Sequence, residues 1–235
     1  MDGLLVDTEP LWHRAEVEIL GDLGVPLHAG DTRATKGMFV REVTRYWFER
    51  YPWAGPDTDQ VADQVVDRVG ALVLAEGRMK PGVDQVLTLC ADHGLALAVA
   101  SSTEYRLIEL ILGHFDLRRR FELVHSAQDE PYGKPHPGVF LSAASRLGAE
   151  PSRCLVWEDA PAGVLAAKAA RMACVAVPDP AERAEPAMGL ADAVLASLAE
   201  ADDALLERLG AAHWADPLAA PAAAEPPGVA RRSSP

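Results

Sequence analysis

Four short polar stretches break into apolar surroundings in this sequence, and each has residue types that could do chemistry: Asp2-Gly3, Ser101-Ser102-Thr103, Gly133-Lys134-Pro135 and Glu158-Asp159. Taken singly, each has an ordinary reading. Serines and threonines behind a strand commonly cap the next helix, and a lysine between glycine and proline is usually a solvated charge. Asp2 and Asp7 both suit turns or helix caps, and Asp7, ahead of Thr8-Glu9-Pro10, keeps that reading. Glu158-Asp159 is harder to explain so simply. Two carboxylates directly behind the apolar run Leu155-Val156-Trp157 repel each other at a low-dielectric sheet edge unless a cation or hydrogen-bond donors compensate. Together the set has one economical explanation. Hard carboxylate oxygens suit Mg²⁺, hydroxyls and helix-terminal N–H groups suit phosphate oxygens, and one lysine neutralises charge developing on them. The pattern is that of a phosphoryl-transfer site.

The elements that must position these residues are legible in the periodicity. Apolar residues at helical spacing run from Pro10 to about Leu23, from Met38 to about Tyr51 and from Asp57 to about Met79, with the breaker run Pro52-Trp53-Ala54-Gly55-Pro56 between the last two. Residues 9–80 therefore read as all-helical. From Pro81 the texture changes to helices alternating with short unbroken apolar runs: Leu95–Ala100, Leu123-Val124, Cys154–Trp157 and Cys174–Val177. Alternation implies parallel crossovers, and unbroken apolar strands imply a sheet covered on both faces. The expected fold is α/β, a doubly wound, Rossmann-like parallel sheet (residues 1–8 and 81–209) with an inserted helical cap (residues 9–80). In such sheets ligands bind beyond the carboxyl ends of the strands, where the four polar stretches fall. Residues 210–235, rich in Ala and Pro, read as a disordered tail.

Composition excludes other classes. The 235 residues are 49% hydrophobic with a formal net charge of -13, which disfavours nucleic acid as a partner. No run approaches the length of a membrane span, and no secretory signal opens the chain, so a cytoplasmic monomer acting on a small molecule is expected. Cys90, Cys154 and Cys174 are widely spaced in apolar contexts and read as buried free thiols.

The same motifs resemble the haloacid dehalogenase superfamily of phosphatases, in the branch with a helical cap after the first motif. Met1-Asp2-Gly3-Leu4-Leu5-Val6-Asp7-Thr8 is similar to all but the beginning of its first motif, Ser101 to the second, Lys134 in Gly133-Lys134-Pro135-His136-Pro137 to the third, and Glu158-Asp159 to the fourth. Glu9-Pro10-Leu11-Trp12, Pro52–Pro56, Lys134–Pro137 and Lys168-Ala169-Ala170-Arg171-Met172 further resemble hexitol phosphatases, also described as 2-deoxyglucose-6-phosphate phosphatases. The resemblance implies Mg²⁺-dependent hydrolysis of a sugar or sugar-alcohol phosphate through an aspartyl-phosphate. Asp2 would be the general acid and base. Ser101, the Ser102 backbone and Lys134 would hold the phosphoryl group. The Asp2 backbone carbonyl and Asp159, with Glu158 in support, would hold the metal.

In the family the nucleophile is an Asp two residues before the position of Asp2. Its place here falls immediately before Met1, as does the strand leading to it, which in the family lies between the strands ending at Ser101 and at Trp157. The expectation is a start that lies upstream, the chain as given being inactive; the alternative is a truncated product. Two other functions compete. A mutase of the β-phosphoglucomutase type has a His in the first cap helix where this chain has Trp12, and a catalytically dead protein would bind sugar phosphates without turnover. The aromatics Trp12, Trp47, Phe48, Tyr51 and Trp53 are expected mostly in the cap's own core. The cap is expected to open and close about connections near residues 8 and 80.

Overall fold

The structure, a computed structural model, describes residues 1–27, 35 and 37–210. The expected tail at 211–235 lies outside the described residues. After an opening turn come three helices, α1 (Glu9–Asp22), α2 (Val40–Arg50) and α3 (Thr58–Glu76). Proline in its first turn starts α1, where its missing N–H costs nothing. Asp57 starts α3, accepting from the Gln60 amide at 2.8 Å while the Gln60 side chain accepts from the Asp57 N–H. Val61, Val65, Val69 and Leu72 then form its buried stripe. The α3 helix stops at Glu76 rather than at Met79, because the next residues turn back along the opening segment. The Asp7 amide donates to the Arg78 carbonyl and the Lys80 amide to the Leu5 carbonyl, both at 2.9 Å. The two connections into the helical segment thus run side by side.

The remainder alternates as α4 (Val83–Asp92), β1 (Ala98–Ser101), α5 (Tyr105–His114), β2 (Leu123–Ser126), α6 (Gly138–Arg146), β3 (Leu155–Glu158), α7 (Pro161–Ala169), β4 (Ala173–Ala176), β5 (Ala193–Val194) and α8 (Asp203–Leu209). All named strand pairs are parallel. β1 pairs with β2, and β3, β4 and β5 form a separate three-stranded sheet. Val99 stands opposite Val124, and Val156 opposite Cys174. Ser101 and Glu158 are the last residues of their strands, not the first beyond them, so the ladder fixes the backbone that carries both side chains.

No ladder joins β1 to β3 among the described residues. Between them lies a cavity of about 470 Å³, lined by Ala98, Val99 and Ala100 on one side and Leu155, Val156 and Trp157 on the other, with Met1 and Leu4 also on its wall. Each flanking strand is paired on one side only, leaving an edge of backbone donors and acceptors to be satisfied.

The largest hydrophobic cluster crosses from the sheet into the helical segment. It joins Val99, Ile108 and Ile111 with Val65, Val69 and Val73 of α3. Gly70 of α3 faces α5, where a Cβ would make ordinary contact, 3.6 Å, with Leu107 and Leu110 methyls. A smaller cluster of Leu20, Val25, Leu27, Val43, Trp47 and Val61 belongs to the helical segment alone. Of Trp12, Trp47, Phe48, Tyr51 and Trp53, all among the described residues, only Trp47 is buried. Phe48 and Tyr51 are exposed and spend their faces on neighbouring rings, Phe48 edge-on to Trp53 and Tyr51 stacked on Trp47. Cys90 and Cys174 are buried thiols, whereas Cys154 is only half-buried. Burial pushes Cys90 up to about 11 and Cys174 up to about 12. Neither is a thiolate at neutral pH.

Candidate active site

The opening turn, the ends of β1 and β3, the loop before α6 and one face of α1 meet around a pocket of about 90 Å³. Asp2, Ser101, Ser102, Lys134, Glu158 and Asp159 all line it, with Glu9 and Trp12 from α1 and Met38, Val40 and Val43 from around α2. The six candidate residues from the sequence are therefore together, though they come from positions more than 150 apart.

Asp2 is held on both carboxylate oxygens. Oδ1 accepts from the Thr8 hydroxyl at 2.9 Å and the Trp12 indole N–H at 3.0 Å, and Oδ2 accepts from the Thr103 hydroxyl at 2.6 Å. Three donors on one carboxylate fix its rotamer. The indole is a donor only, so Trp12 orients Asp2 and relays no proton. Gly3 takes φ +64, and a Cβ there would stand 2.1 Å from Asp159 Oδ2. A glycine is needed for both the turn and the approach of Asp159.

The Ser101–Thr103 stretch does not cap α5; Glu104 occupies that place. Ser101 Oγ instead accepts from the Thr103 amide at 3.2 Å, and the Ser126 hydroxyl donates to the Thr103 carbonyl at 2.6 Å. This ties the stretch into its own turn and to the end of β2. The Ser102 hydroxyl is buried and has no hydrogen-bond partner among the described residues. A buried hydroxyl on a pocket wall is a ready donor for a phosphate oxygen, and its desolvation is otherwise uncompensated.

Glu158 is where the structure departs from the charge argument made from sequence. Its Oε1 pairs with Lys134 Nζ, and its Oε2 accepts from the Asp159 and Ala160 amides at 3.1 and 3.3 Å, at the start of α7. Gly163 makes room, since a Cβ there would stand 2.0 Å from Glu158 Cδ. Burial works against ionisation of Glu158, but the Lys134 charge and hydrogen bond, with smaller help from the N-terminal ammonium and the Ala160 amide, outweigh it and hold the carboxyl below the usual range. Glu158 and Asp159 thus do not face each other unshielded; lysine and helix amides compensate one of them. Lys134 Nζ also lies 4.8 Å from the Phe140 ring centroid, a cation–π contact. Among the described residues no group of three His, Cys, Asp or Glu side chains is placed to hold a metal ion. The donors at hand, the Asp159 carboxylate and the Asp2 carbonyl, fit Mg²⁺ in kind, being hard oxygens.

Sequence reasoning missed the supports. Thr8, Thr103 and Trp12 carry no signal in isolation, because their value depends on Asp2 lying between them. Gly163 reads as any helix glycine. Glu16, two turns beyond Glu9 on α1, is also unannounced. It is 7% exposed with Oε2 unpartnered. Burial, aided by the charge of Glu9, raises it to about 8.

Comparison with known proteins fits this geometry. A sequence profile of the haloacid dehalogenase-like hydrolases matches residues 1–171. The chain is 40% identical over 201 residues to hexitol phosphatase B of Escherichia coli (strain K12), covering 85% of this chain and 90% of that one. It is 33% identical over 178 residues to fructose-1-phosphate phosphatase YqaB of the same organism, covering 75% and 93%. Among solved structures it resembles CbbY from Rhodobacter sphaeroides in complex with phosphate, with a TM-score of 0.75 and 29% identity over 85% of this chain and 92% of that one.

Proposed function

The chain belongs to the haloacid dehalogenase-like hydrolases and is a phosphatase of that family; on this premise we propose that it hydrolyses a sugar or sugar-alcohol phosphate, with Asp2 as general acid and base. The observation that carries the proposal is the convergence of Asp2, Ser101, Ser102 and Lys134 on one pocket at the carboxyl ends of parallel strands. Relatives named for hexitol and fructose-1-phosphate hydrolysis support the substrate class.

In the proposed reaction the phosphoryl group sits against Ser101, the Ser102 hydroxyl and amide, and Lys134. Lys134, paired with Glu158, would present its charge to the transferring oxygens. Asp2 protonates the leaving sugar oxygen and afterwards takes a proton from the attacking water. Thr8, Trp12 and Thr103 hold it in line for both steps. The attacking carboxylate, which forms an aspartyl-phosphate and splits one displacement into two, is assigned to a strand that fills the cavity between β1 and β3. A strand placed in that cavity would meet both open edges and end beside Met1, which lines the cavity and the pocket alike. Asp159 and the Asp2 carbonyl would hold Mg²⁺, with Glu158 behind them, and the ion supplies positive charge to the phosphoryl oxygens when bound. Trp12 at the place next to Asp2 favours hydrolysis over a mutase reaction, which needs a second proton-transfer group there.

The test is the specificity profile: kcat/KM across hexitol, hexose, triose and nucleoside monophosphates, using the chain with that strand supplied. Preference for six-carbon phosphates supports the proposal. A flat profile, or preference for nucleotides, overturns the substrate class.

A further inference from the structure

The first turn of α2 reaches both loops that would hold a phosphoryl group, and it does so with two adjacent residues. Arg41 Nη2 lies 2.8 Å from Glu104 Oε1, in an ion pair not aligned as a hydrogen bond. Glu104 follows directly on Ser101-Ser102-Thr103, and its side chain is only 3% exposed. Besides Arg41 it meets Arg106, whose Nε is 3.1 Å from Oε2. A buried carboxylate compensated by two guanidinium groups is tightly placed, and losing one of them leaves charge unmatched. Arg41 is itself anchored to the cap through Asp63 at 2.9 Å and Asp59 at 3.5 Å. Arg106 is shared with Asp63 and Asp67.

The neighbouring residue, Glu42, touches the other loop. Its Oε2 accepts from the Phe39 amide at 3.3 Å, which locks the turn, and it lies so close to Gly133 that a Cβ there would be 2.7 Å away. Gly133 directly precedes Lys134. The same turn also puts Val40 and Val43 on the pocket wall. One helical turn therefore contacts the loop of Ser101 and Ser102, the loop of Lys134, and the pocket itself.

We propose that this turn is a clamp, in which Arg41 acts through Glu104, and Glu42 through Gly133, to position the two phosphate-side loops whenever the cap is down. This rests on the phosphoryl-transfer reading of the pocket. Arg41 and Glu42 are positioning residues: neither needs to touch the reacting atoms. Seating of the cap and order in the phosphate site become one equilibrium, so a ligand that orders either loop also draws α2 down.

Hydrogen exchange on the full chain tests this without turnover. Arg41→Gln is expected to speed exchange about tenfold in peptides spanning 101–107 and 131–137 as well as in α2, an effect at the low end of coupling between sites, while β4 and α7 stay unchanged. Arg41→Lys, which keeps the charge, should fall between the two and guards against loss of fold as the explanation. Inorganic phosphate with Mg²⁺, titrated in parallel, should bind the Gln variant about tenfold more weakly. Faster exchange confined to α2, or equal phosphate affinity in a wild type that binds it, overturns the clamp. A wild type that binds no phosphate while both loops still loosen in the variant leaves the clamp standing and counts against the phosphoryl-transfer reading.

Discussion

Replacing Glu16 by Gln should make the protein more stable at alkaline pH and change how its stability depends on pH. Glu16 is 7% exposed, its Oε2 has no partner, and its ordinary value of 4.5 is raised to about 8, by burial first and by the charge of Glu9 second. The folded state therefore keeps this carboxyl protonated where the unfolded chain has released the proton. Because the folded value is the higher one, the carboxyl favours folding below about 4.5, and that advantage is lost as pH rises towards 8. Within that window the loss is about 1.4 kcal/mol per pH unit, or about 4 kcal/mol between pH 5 and pH 8. That is a large part of a domain's stability of about 5 to 15 kcal/mol. The amide of Glu16→Gln does not titrate, so the difference in unfolding free energy between wild type and variant should grow by several kcal/mol from pH 5 to pH 8 and level off above it. Urea denaturation followed by tryptophan fluorescence at half-unit pH steps measures the difference directly and cancels the other titrating groups. Parallel curves for the two proteins would refute the argument, because they would mean that Glu16 is ionised and solvated in the folded protein.

Other perturbations probe the pocket. Lys134→Met leaves Glu158 buried without its cation and should cost roughly 3 to 5 kcal/mol at pH 7 by chemical denaturation. The Glu158 carboxyl is held below its usual 4.5, so the stability it contributes is present above that pH and disappears as pH falls through the lower folded value; in the variant this acid-side loss should vanish. Thr103→Val removes the 2.6 Å hydrogen bond to Asp2 and should lower kcat/KM about 10- to 100-fold in the chain with the strand supplied. Its thermal midpoint should stay within a few degrees; a large drop there would make Thr103 a structural residue instead.

The pocket was legible because a parallel sheet gathers the residues behind all its strands at one edge. Apolar runs at Leu155–Trp157 and Cys174–Val177 mark buried strands, and the polar residues next in the chain necessarily share that edge. The runs do not show where a strand stops. Ser101 and Glu158 belong to the ladder because hydrogen bonding continues past the last apolar side chain. β5 spans two residues and α8 seven, too short for periodicity to register. The pairing of Glu158 with Lys134 was hidden for a different reason: it joins residues 24 apart, whereas the repulsion between Glu158 and Asp159 is visible in adjacent letters. Tertiary contact supplies part of the compensation that adjacent letters assign to a cation alone. Glu16 sits at a position where helical spacing calls for an apolar residue, and nothing in one sequence distinguishes a buried acid from an exposed one.

Phosphate release from a hexitol 6-phosphate with Mg²⁺ tests the assigned reaction most directly. The chain as given is assayed beside one carrying an apolar strand that ends with Asp two residues before Asp2. Turnover by the extended chain is expected to exceed that of the chain as given on the order of a thousandfold or more, and Asp2→Asn is expected to abolish it. A folded extended chain that releases no phosphate, or equal turnover by both chains, would contradict the assignment.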